Sequence, residues 1–368
     1  MQRSGKTFAD RSAASRGCRA VFAVVLVAAL IGAMALGPTG ARGQDATGSV
    51  ELTLPDPHEM RRVEASVDAA LRYLAQHQRD NGSFPSRYGD NHGINAFCLL
   101  AFLGRGHVPG RGPYRAVVDR AAAHILSTQN DQGLYKSPNT SHGPMYEHGL
   151  ATLAMVQAYG FLPSPQMRTS VQQAIDLIVK SQAANGGWRY QPVPRDHDLS
   201  VTVMQIVALR AAQNARLDVP QQTLDKALQY VRACAAKGGG FCYQPGRNRT
   251  YAQSAAGALS MQLLGAFDDE KVDASIEWLD KQKYQPKIGH FWYFSYYAMQ
   301  AHFQAGGEAW ATWHPKVRQF LFDHQNADGS WDGYTGDNQN AGDSRCYSTA
   351  VGAMCLEVYM HYLPAYQR

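Results

Sequence analysis

Four stretches share one phrase: Gln78-Arg-Asp-Asn-Gly82-Ser-Phe84, Gln129-Asn-Asp-Gln-Gly133-Leu-Tyr135, Gln182-Ala-Ala-Asn-Gly186-Gly-Trp188 and Gln325-Asn-Ala-Asp-Gly329-Ser-Trp331. Each runs Gln, three residues, Gly, one residue, then an aromatic ring. Two degenerate copies fill the gap before the last. One is Cys234-Ala-Ala-Lys-Gly238-Gly-Gly-Phe241; the other is Gln282 leading to Gly289-His-Phe291. Copies starting at 78, 129, 182, 234, 282 and 325 are spaced as a repeat architecture requires. The phrase has a physical reading. Each copy follows an amphipathic pattern, so its Gly sits where the chain must turn left-handed to leave a helix. The Gln amide can satisfy carbonyls at the helix end or on the next repeat, and the ring is an apolar anchor.

Around the phrase every repeat has the same grammar. The outer helices are expected over Glu59–Gln78, Tyr114–Gln129, Gln166–Gln182, Gln221–Ala235, Val272–Gln282 and Lys316–Gln325. In the third, Val171, Ile175, Ile178 and Val179 share one face. Second helices are expected over Ile94–Leu103, Tyr146–Tyr159, Leu199–Ala212, Ala252–Leu264, Tyr293–Ala305 and Ser348–Met360. These are apolar nearly all round, with small residues such as Ala255-Ala256-Gly257-Ala258 where neighbours approach. A helix apolar on every side is buried on every side. Six such helices inside six amphipathic ones make an all-α, six-repeat α/α toroid. Pro109, Pro163, Pro220 and Pro315 are expected to punctuate the links.

Residues 1–43 read as a signal peptide: Arg3, Lys6, Arg11, Arg16 and Arg19, an apolar run from Ala20 to Leu36, and small residues at Ala41 and Gly43. If uncleaved, that run would serve as an N-terminal membrane anchor. The chain is therefore expected to be exported, periplasmic or secreted, with 44–57 a linker and 58–368 the toroid. The leader holds six of 35 Lys/Arg and one of 30 Asp/Glu, leaving 29 of each sign. That balance advertises neither nucleic acid nor an anionic membrane as partner. In an oxidising compartment Cys234 and Cys242 are placed to clip the fourth turn. No CxxC or Cys/His spacing marks a structural zinc site, and nothing signals a cofactor.

With these residues in place, the chain resembles the prenyltransferase and squalene-oxidase repeat proteins of the terpenoid cyclase/protein prenyltransferase superfamily. More narrowly, it resembles secreted bacterial squalene-cyclase-like proteins. Supporting phrases are Tyr146-Glu-His-Gly149, Asp198-Leu-Ser-Val-Thr202, Gly306-Gly-Glu-Ala-Trp310 and Leu363-Pro-Ala-Tyr-Gln-Arg368. The resemblance covers about residues 60 to 368 and implies an α/α toroid; it does not imply a reaction.

In such a toroid the inner-helix starts converge on one mouth, where free N–H groups favour negative charge. Polar residues concentrate there: Asp90, Asn91, His92 and Asn95; Tyr146, Glu147 and His148; Asp196, His197 and Asp198; Arg249, Tyr251 and Gln253; His290, Trp292, Tyr293 and Tyr296; Asp343, Arg345 and Tyr347. Asp198 and Ser200 at a helix start also have the look of N-caps. Of these residues, Asp198, Asp196, His148 and Glu147 are the candidate catalytic groups. Tyr146, Tyr251, His290, Trp292, Tyr293, Asp343, Arg345 and Tyr347 are the candidate ligand contacts.

Three enzymatic classes are open. Resemblance to class II terpene cyclases, with their D-x-D-D acid, places Asp196 at the first position and Asp198 at the proton-donating middle one. Leu199 occupies the last position and breaks the motif. The zinc of protein prenyltransferases needs an Asp-x-Cys pair that Asp343-Ser-Arg-Cys346 does not provide, and the Gly-Cys-Gly-Glu-Gln of thioester domains is absent. A polysaccharide lyase or hydrolase would need two carboxylates about 5 to 10 Å apart, or a basic residue beside an Arg. Glu147, Asp198 and Asp343 with Arg345 and His148 are the candidates, and Trp292, Tyr293 and Trp331 are candidates for stacking on sugar rings. The non-enzymatic reading is a module that holds an apolar or isoprenoid-like molecule or docks another envelope protein. A catalyst should show a perturbed carboxylate at the cavity. A pure scaffold should fill its shaft with side chains such as Phe294, Met155 and Met204.

Overall fold

The computed structural model describes residues 55–138, 143–334, 336 and 345–360. The expected leader, most of the linker, Asp343 and the terminal phrase from Leu363 to Arg368 lie outside the described residues.

Among the described residues twelve α-helices alternate between two concentric layers. The outer ones are α1 (Pro57–His77), α3 (Arg115–Ser127), α5 (Pro165–Lys180), α7 (Gln221–Ala233), α9 (Glu270–Asp280) and α11 (Gly307–His324). The inner ones are α2 (His92–Gly104), α4 (Met145–Phe161), α6 (Leu199–Asn214), α8 (Tyr251–Leu263), α10 (Phe291–Ala305) and α12 (Cys346–Glu357). Each inner helix packs on the next, and α12 returns to α2 and α1, so the ring closes. Every described side chain of α2 is buried, whereas α5 buries only the stripe Ser170, Val171, Ala174, Ile175 and Ile178. The fold is the expected all-α toroid of six helix pairs. Among the described residues β pairing occurs only as isolated bridges, and no helix is long and apolar enough to cross a membrane.

The Gln phrase is the seam between pairs. Gln78 Nε2 donates to Gly82 O (3.1 Å) within its own loop and to Val117 O (2.9 Å) on the next outer helix. Gln129 bridges Gly133 and Ser170, and Gln182 bridges Gly186 and Thr223. Gln325 closes the ring, donating to Gly329 O and to Ser66 O of α1, both at 2.9 Å. The glycine is required twice over. Gly186 has φ +94°, and a Cβ there would lie 2.0 Å from the Lys226 carbonyl oxygen of the next outer helix. Only a residue without a side chain can turn left-handed and touch the neighbouring backbone.

A second regularity completes the seam. The N–H of the phrase's aromatic residue donates to the fourth residue of the following inner helix. Phe84 donates to Asn95 (2.8 Å), Tyr135 to His148 (3.2 Å), Trp188 to Thr202 (2.9 Å), Phe241 to Ser254 (3.0 Å) and Trp331 to Thr349 (3.2 Å). One structural position is thus filled by five polar residues of four chemical kinds.

Three expectations need correction. The fourth phrase begins at Ala235, not Cys234: Ala235 bridges to Phe241 as Gln129 does to Tyr135, and Gly239 makes the tight approach to the next outer helix. Pro315 does not punctuate a link but lies inside α11. Buried Trp310, Trp313, Val317 and Leu321 hold that helix continuous through the missing N–H. Cys234 and Cys242 are free, buried thiols, joined through the backbone by Cys242 N–H to Cys234 O at 2.8 Å.

Candidate functional site

The first turns of all six inner helices open on a cavity of about 870 Å3. Its wall takes Ile94 and Phe97 from α2, Tyr146, Glu147 and Leu150 from α4, and Ser200 and Met204 from α6. It continues with Tyr251 and Gln253 from α8, His290 and Tyr293 at the start of α10, and Tyr347 from α12; the preceding loops add Tyr88, Tyr190 and Tyr243. The shaft is not filled by side chains as a pure scaffold would require. Six inner-helix N-termini surround the space, each a positive dipole end.

Glu147 is the only carboxylate among the described residues of the wall. Its Oε2 accepts bonds from the Ser137 hydroxyl and from His92 N–H (3.2 Å). Burial pushes its carboxyl above the usual range, against the pull of those bonds and with Asp90 adding repulsion. A carboxyl so placed can give or take a proton nearer neutrality than an exposed one.

Asp198 sits one bond behind the wall. As the N-cap of α6 its Oδ1 accepts from Val201 N–H (2.9 Å) and from Ser200 Oγ (2.7 Å), while Oδ2 accepts from Tyr243 Oη (2.9 Å). Two hydroxyl chains therefore run to it: Tyr146 through Ser200, and Tyr190 through Tyr243, whose phenol oxygens are 2.6 Å apart. All four hydroxyls belong to residues of the cavity wall. Arg189 Nε lies 3.5 Å from Oδ2. Burial pushes the Asp198 carboxyl up; the hydrogen bonds and Arg189 oppose it. Burial likewise keeps the Tyr146 and Tyr243 phenols protonated far into alkali.

The remaining predicted residues separate. Tyr146, Tyr251, His290, Tyr293 and Tyr347 join Glu147 in the wall. His148 does not: its Nδ1 takes the Tyr135 N–H and its Nε2 lies 3.1 Å from the Ala174 carbonyl, and burial holds the ring neutral, down to about 4. Asp196 is half-exposed and pairs with Arg189 outside the wall. Trp292 turns outward to donate to the Asp332 carbonyl (2.8 Å) and stack on Tyr334. Arg345 pairs with Asp332 (2.6 Å), and its backbone N–H donates to Tyr73 Oη (2.9 Å). Sequence reasoning missed Tyr88, Tyr190 and Tyr243. A signal existed for the last two, since both stand two residues past the ring of their phrase, Trp188 and Phe241.

The chain matches the model of the prenyltransferase alpha-alpha toroid domain over residues 1–108 and 113–363. The chain belongs to the prenyltransferase α/α toroid family. Among curated proteins it is similar to drimenyl diphosphate synthase of Streptomyces showdoensis, 27% identical over 159 residues. That match takes in 42% of this chain and 29% of the synthase, well under two thirds of the relative's length. Among solved structures, an α-1,6-mannanase of Salegentibacter sp. HEL1_6 superposes with a TM-score of 0.62 at 10% identity, covering 83% of this chain and 99% of that one. Cellobiose 2-epimerase of Spirochaeta thermophila DSM 6192 gives 0.62 at 13% identity, covering 83% and 98%. At such identities the two enzymes share the toroid with this family member, and the likeness speaks for the fold alone.

Proposed function

We propose that this toroid is an exported protein whose cavity takes an apolar, isoprenoid-like molecule, with Glu147 facing its polar or reactive end. The observation that carries the reading is the wall itself: a space of about 870 Å3 faced by the rings of Phe97, Tyr146, Tyr190, Tyr243, Tyr251, Tyr293 and Tyr347. Phenol rings give an apolar face with a polar edge, which suits a hydrocarbon chain that is bent or carries positive charge. Membership of the prenyltransferase toroid family supports the ligand class, and the basic, then apolar, leader supports export.

If the cavity is catalytic, Glu147 is the group in reach of the ligand. Asp198 acts only through Tyr243 and Ser200. As a proton donor it would have to reverse a hydroxyl chain that now points toward it. Hydrolysis of a polysaccharide by a pair of carboxylates would need a second acid facing the same space, and among the described wall residues there is none.

Native mass spectrometry of the protein from its own host, with solvent extraction of what co-purifies, tests the reading. A stoichiometric polyprenyl-type lipid is expected, lost when Met204→Trp fills the wall while the melting temperature is retained. An empty protein, an oligosaccharide in place of lipid, or lipid retained in Met204→Trp overturns it.

A further inference from the structure

Behind the first inner helix, away from the cavity, three side chains meet that neither the fold nor the proposed ligand requires. Asp90 precedes α2, His92 is its first residue, and His124 reaches in from the outer helix α3. Asp90 Oδ2 is 2.9 Å from His124 Nε2. The His92 and His124 rings stand edge to face, 5.5 Å between centroids. One donor atom from each of the three lies within 4.8 Å of the other two.

His92 is the unexplained member. It is fully buried, its Nδ1 faces the Asn95 amide at 3.3 Å, and its Nε2 makes no hydrogen bond of normal geometry, the Lys136 carbonyl acting on the ring only from beyond that range. His148, in the next pair, has both ring nitrogens committed to the backbone. A buried polar atom left without a partner is costly, and native structures keep one where something else satisfies it.

We propose that Asp90, His92 and His124 form a binding site for a divalent transition metal of the zinc class. Two imidazoles and one carboxylate suit Zn2+ or Co2+ and are poorly matched to Mg2+ or Ca2+, which take oxygen donors. Metal–ligand bonds of about 2.0–2.2 Å hold donors about 3 to 3.5 Å apart. Asp90 and His124 already stand close to that separation, and a swing of the His92 ring completes the set. Asn95 Nδ2 donates to Asp90 Oδ1 at 2.8 Å and orients the carboxylate, as partners of metal-binding carboxylates do. The N-terminal end of α2 repels a cation, so the Asp90 charge is indispensable. Such an ion would tie α2 to α3 one residue behind the wall, since Asn91 lines the cavity and His92 N–H donates to Glu147.

The test is a titration of the full chain, stripped by chelator, with ZnCl2 alone in competition with a chromophoric chelator. CoCl2 absorption and X-ray absorption fine structure on the wild type accompany it. About one equivalent of Zn2+ is expected, bound roughly a hundredfold more weakly in Asp90→Asn and His124→Gln. In His107→Gln, beyond the opposite end of α2, binding should be unchanged. Loss of the Zn2+-induced rise in melting temperature should follow the same two variants. Substoichiometric binding by the wild type overturns the proposal. So does equal affinity in Asp90→Asn and His124→Gln, or a bound metal whose scattering lacks imidazole. The last measurement needs no variant, so misfolding of a mutant cannot mask the answer. An empty lipid cavity with an intact metal site, or the reverse, separates this proposal from the function proposed above.

Discussion

The seam between helix pairs and the mouth of the cavity are built from the same repeats and obey opposite rules. At the seam the chemistry recurs: a Gln amide bridging two carbonyls, and a left-handed Gly against the next outer helix. At the mouth the set of side chains changes from repeat to repeat. α4 presents Tyr146 and Glu147, α6 presents Ser200 over a hidden Asp198, α8 presents Tyr251 and Gln253, and α10 presents His290 and Tyr293. A contact between identical neighbours must repeat to close a ring. A surface that faces one asymmetric ligand has no reason to. Function in this fold is to be sought where the repeat breaks.

The harshest way to break the comparison is at the closing seam. Gly329 has φ +89°, and a Cβ there would lie 2.4 Å from the Ala69 carbonyl oxygen of α1. Gly329→Ala combines left-handed strain with a backbone clash, and a loss of about 4 kcal/mol is expected by denaturant titration. Gly246→Ala is the contrast. Its φ is +78°, but nothing lies within 4 Å of the added carbon, so about 1 kcal/mol from the backbone alone is expected. Equal losses would mean that the glycine serves the turn and not the neighbour.

His148 tests which side of the comparison a residue belongs to. It lies between Glu147 and the apolar body of α4, yet it occupies the position held by Asn95, Thr202, Ser254 and Thr349 in other pairs. His148→Ala should cost about 2 to 3 kcal/mol, from a cavity and an unpaired Tyr135 N–H. Ligand bound per folded molecule, read by the same extraction, should not change. A selective loss of ligand would return the histidine to the mouth.

How much of this was legible in the sequence follows the same division. The seam was legible because Gln, Gly and an aromatic recur in fixed register, and it slipped by one residue only at Lys237-Gly-Gly-Gly240, where three glycines offer three choices. The row beneath it was not legible, because Asn, His, Thr and Ser perform one hydrogen bond and share no pattern of residue type. At the mouth the starts of the inner helices were legible, but not which way neighbours point. Successive helical residues diverge by about 100°, which sends Glu147 into the cavity and His148 toward α5. Tyr190 and Tyr243 reach the wall from loops, and of the loops that follow the ring of the phrase only these two carry a tyrosine two residues past it. Asp90 and His92 were noted as polar, but His124 sits 32 residues further on, among the residues of an outer amphipathic helix.

Glu147 sharpens the comparison through pH. Burial pushes its folded carboxyl above the usual carboxylate range. A group raised on folding contributes fully to stability below its unfolded value, and that contribution is lost as pH rises through the folded value. Melting temperatures measured from pH 4 to 8 should therefore converge for wild type and Glu147→Gln at the acid end. Above it, the variant should gain by about 2 °C. If the two curves run parallel, the carboxyl is not titrating within the cavity wall.

The smallest effect is expected at Asp196, the partner that the motif reading ties to Asp198. The two lie two residues apart and both approach Arg189, but Asp196 is half-exposed and Asp198 wholly buried. An ion pair in water is screened and contributes little. Asp196→Asn should therefore change stability by less than about 0.5 kcal/mol and leave ligand content alone. The comparison turns on what Arg189 does next. Its Nη1 bonds to Asp196, while its Nε is buried 3.5 Å from Asp198 Oδ2 without a hydrogen bond, so the inner carboxylate attracts the guanidinium by charge whether or not the outer one is charged. If Asp196→Asn empties the cavity, Arg189 is being steered by its exposed partner, and the two hydroxyl chains that end on Asp198 depend on a charge at the surface.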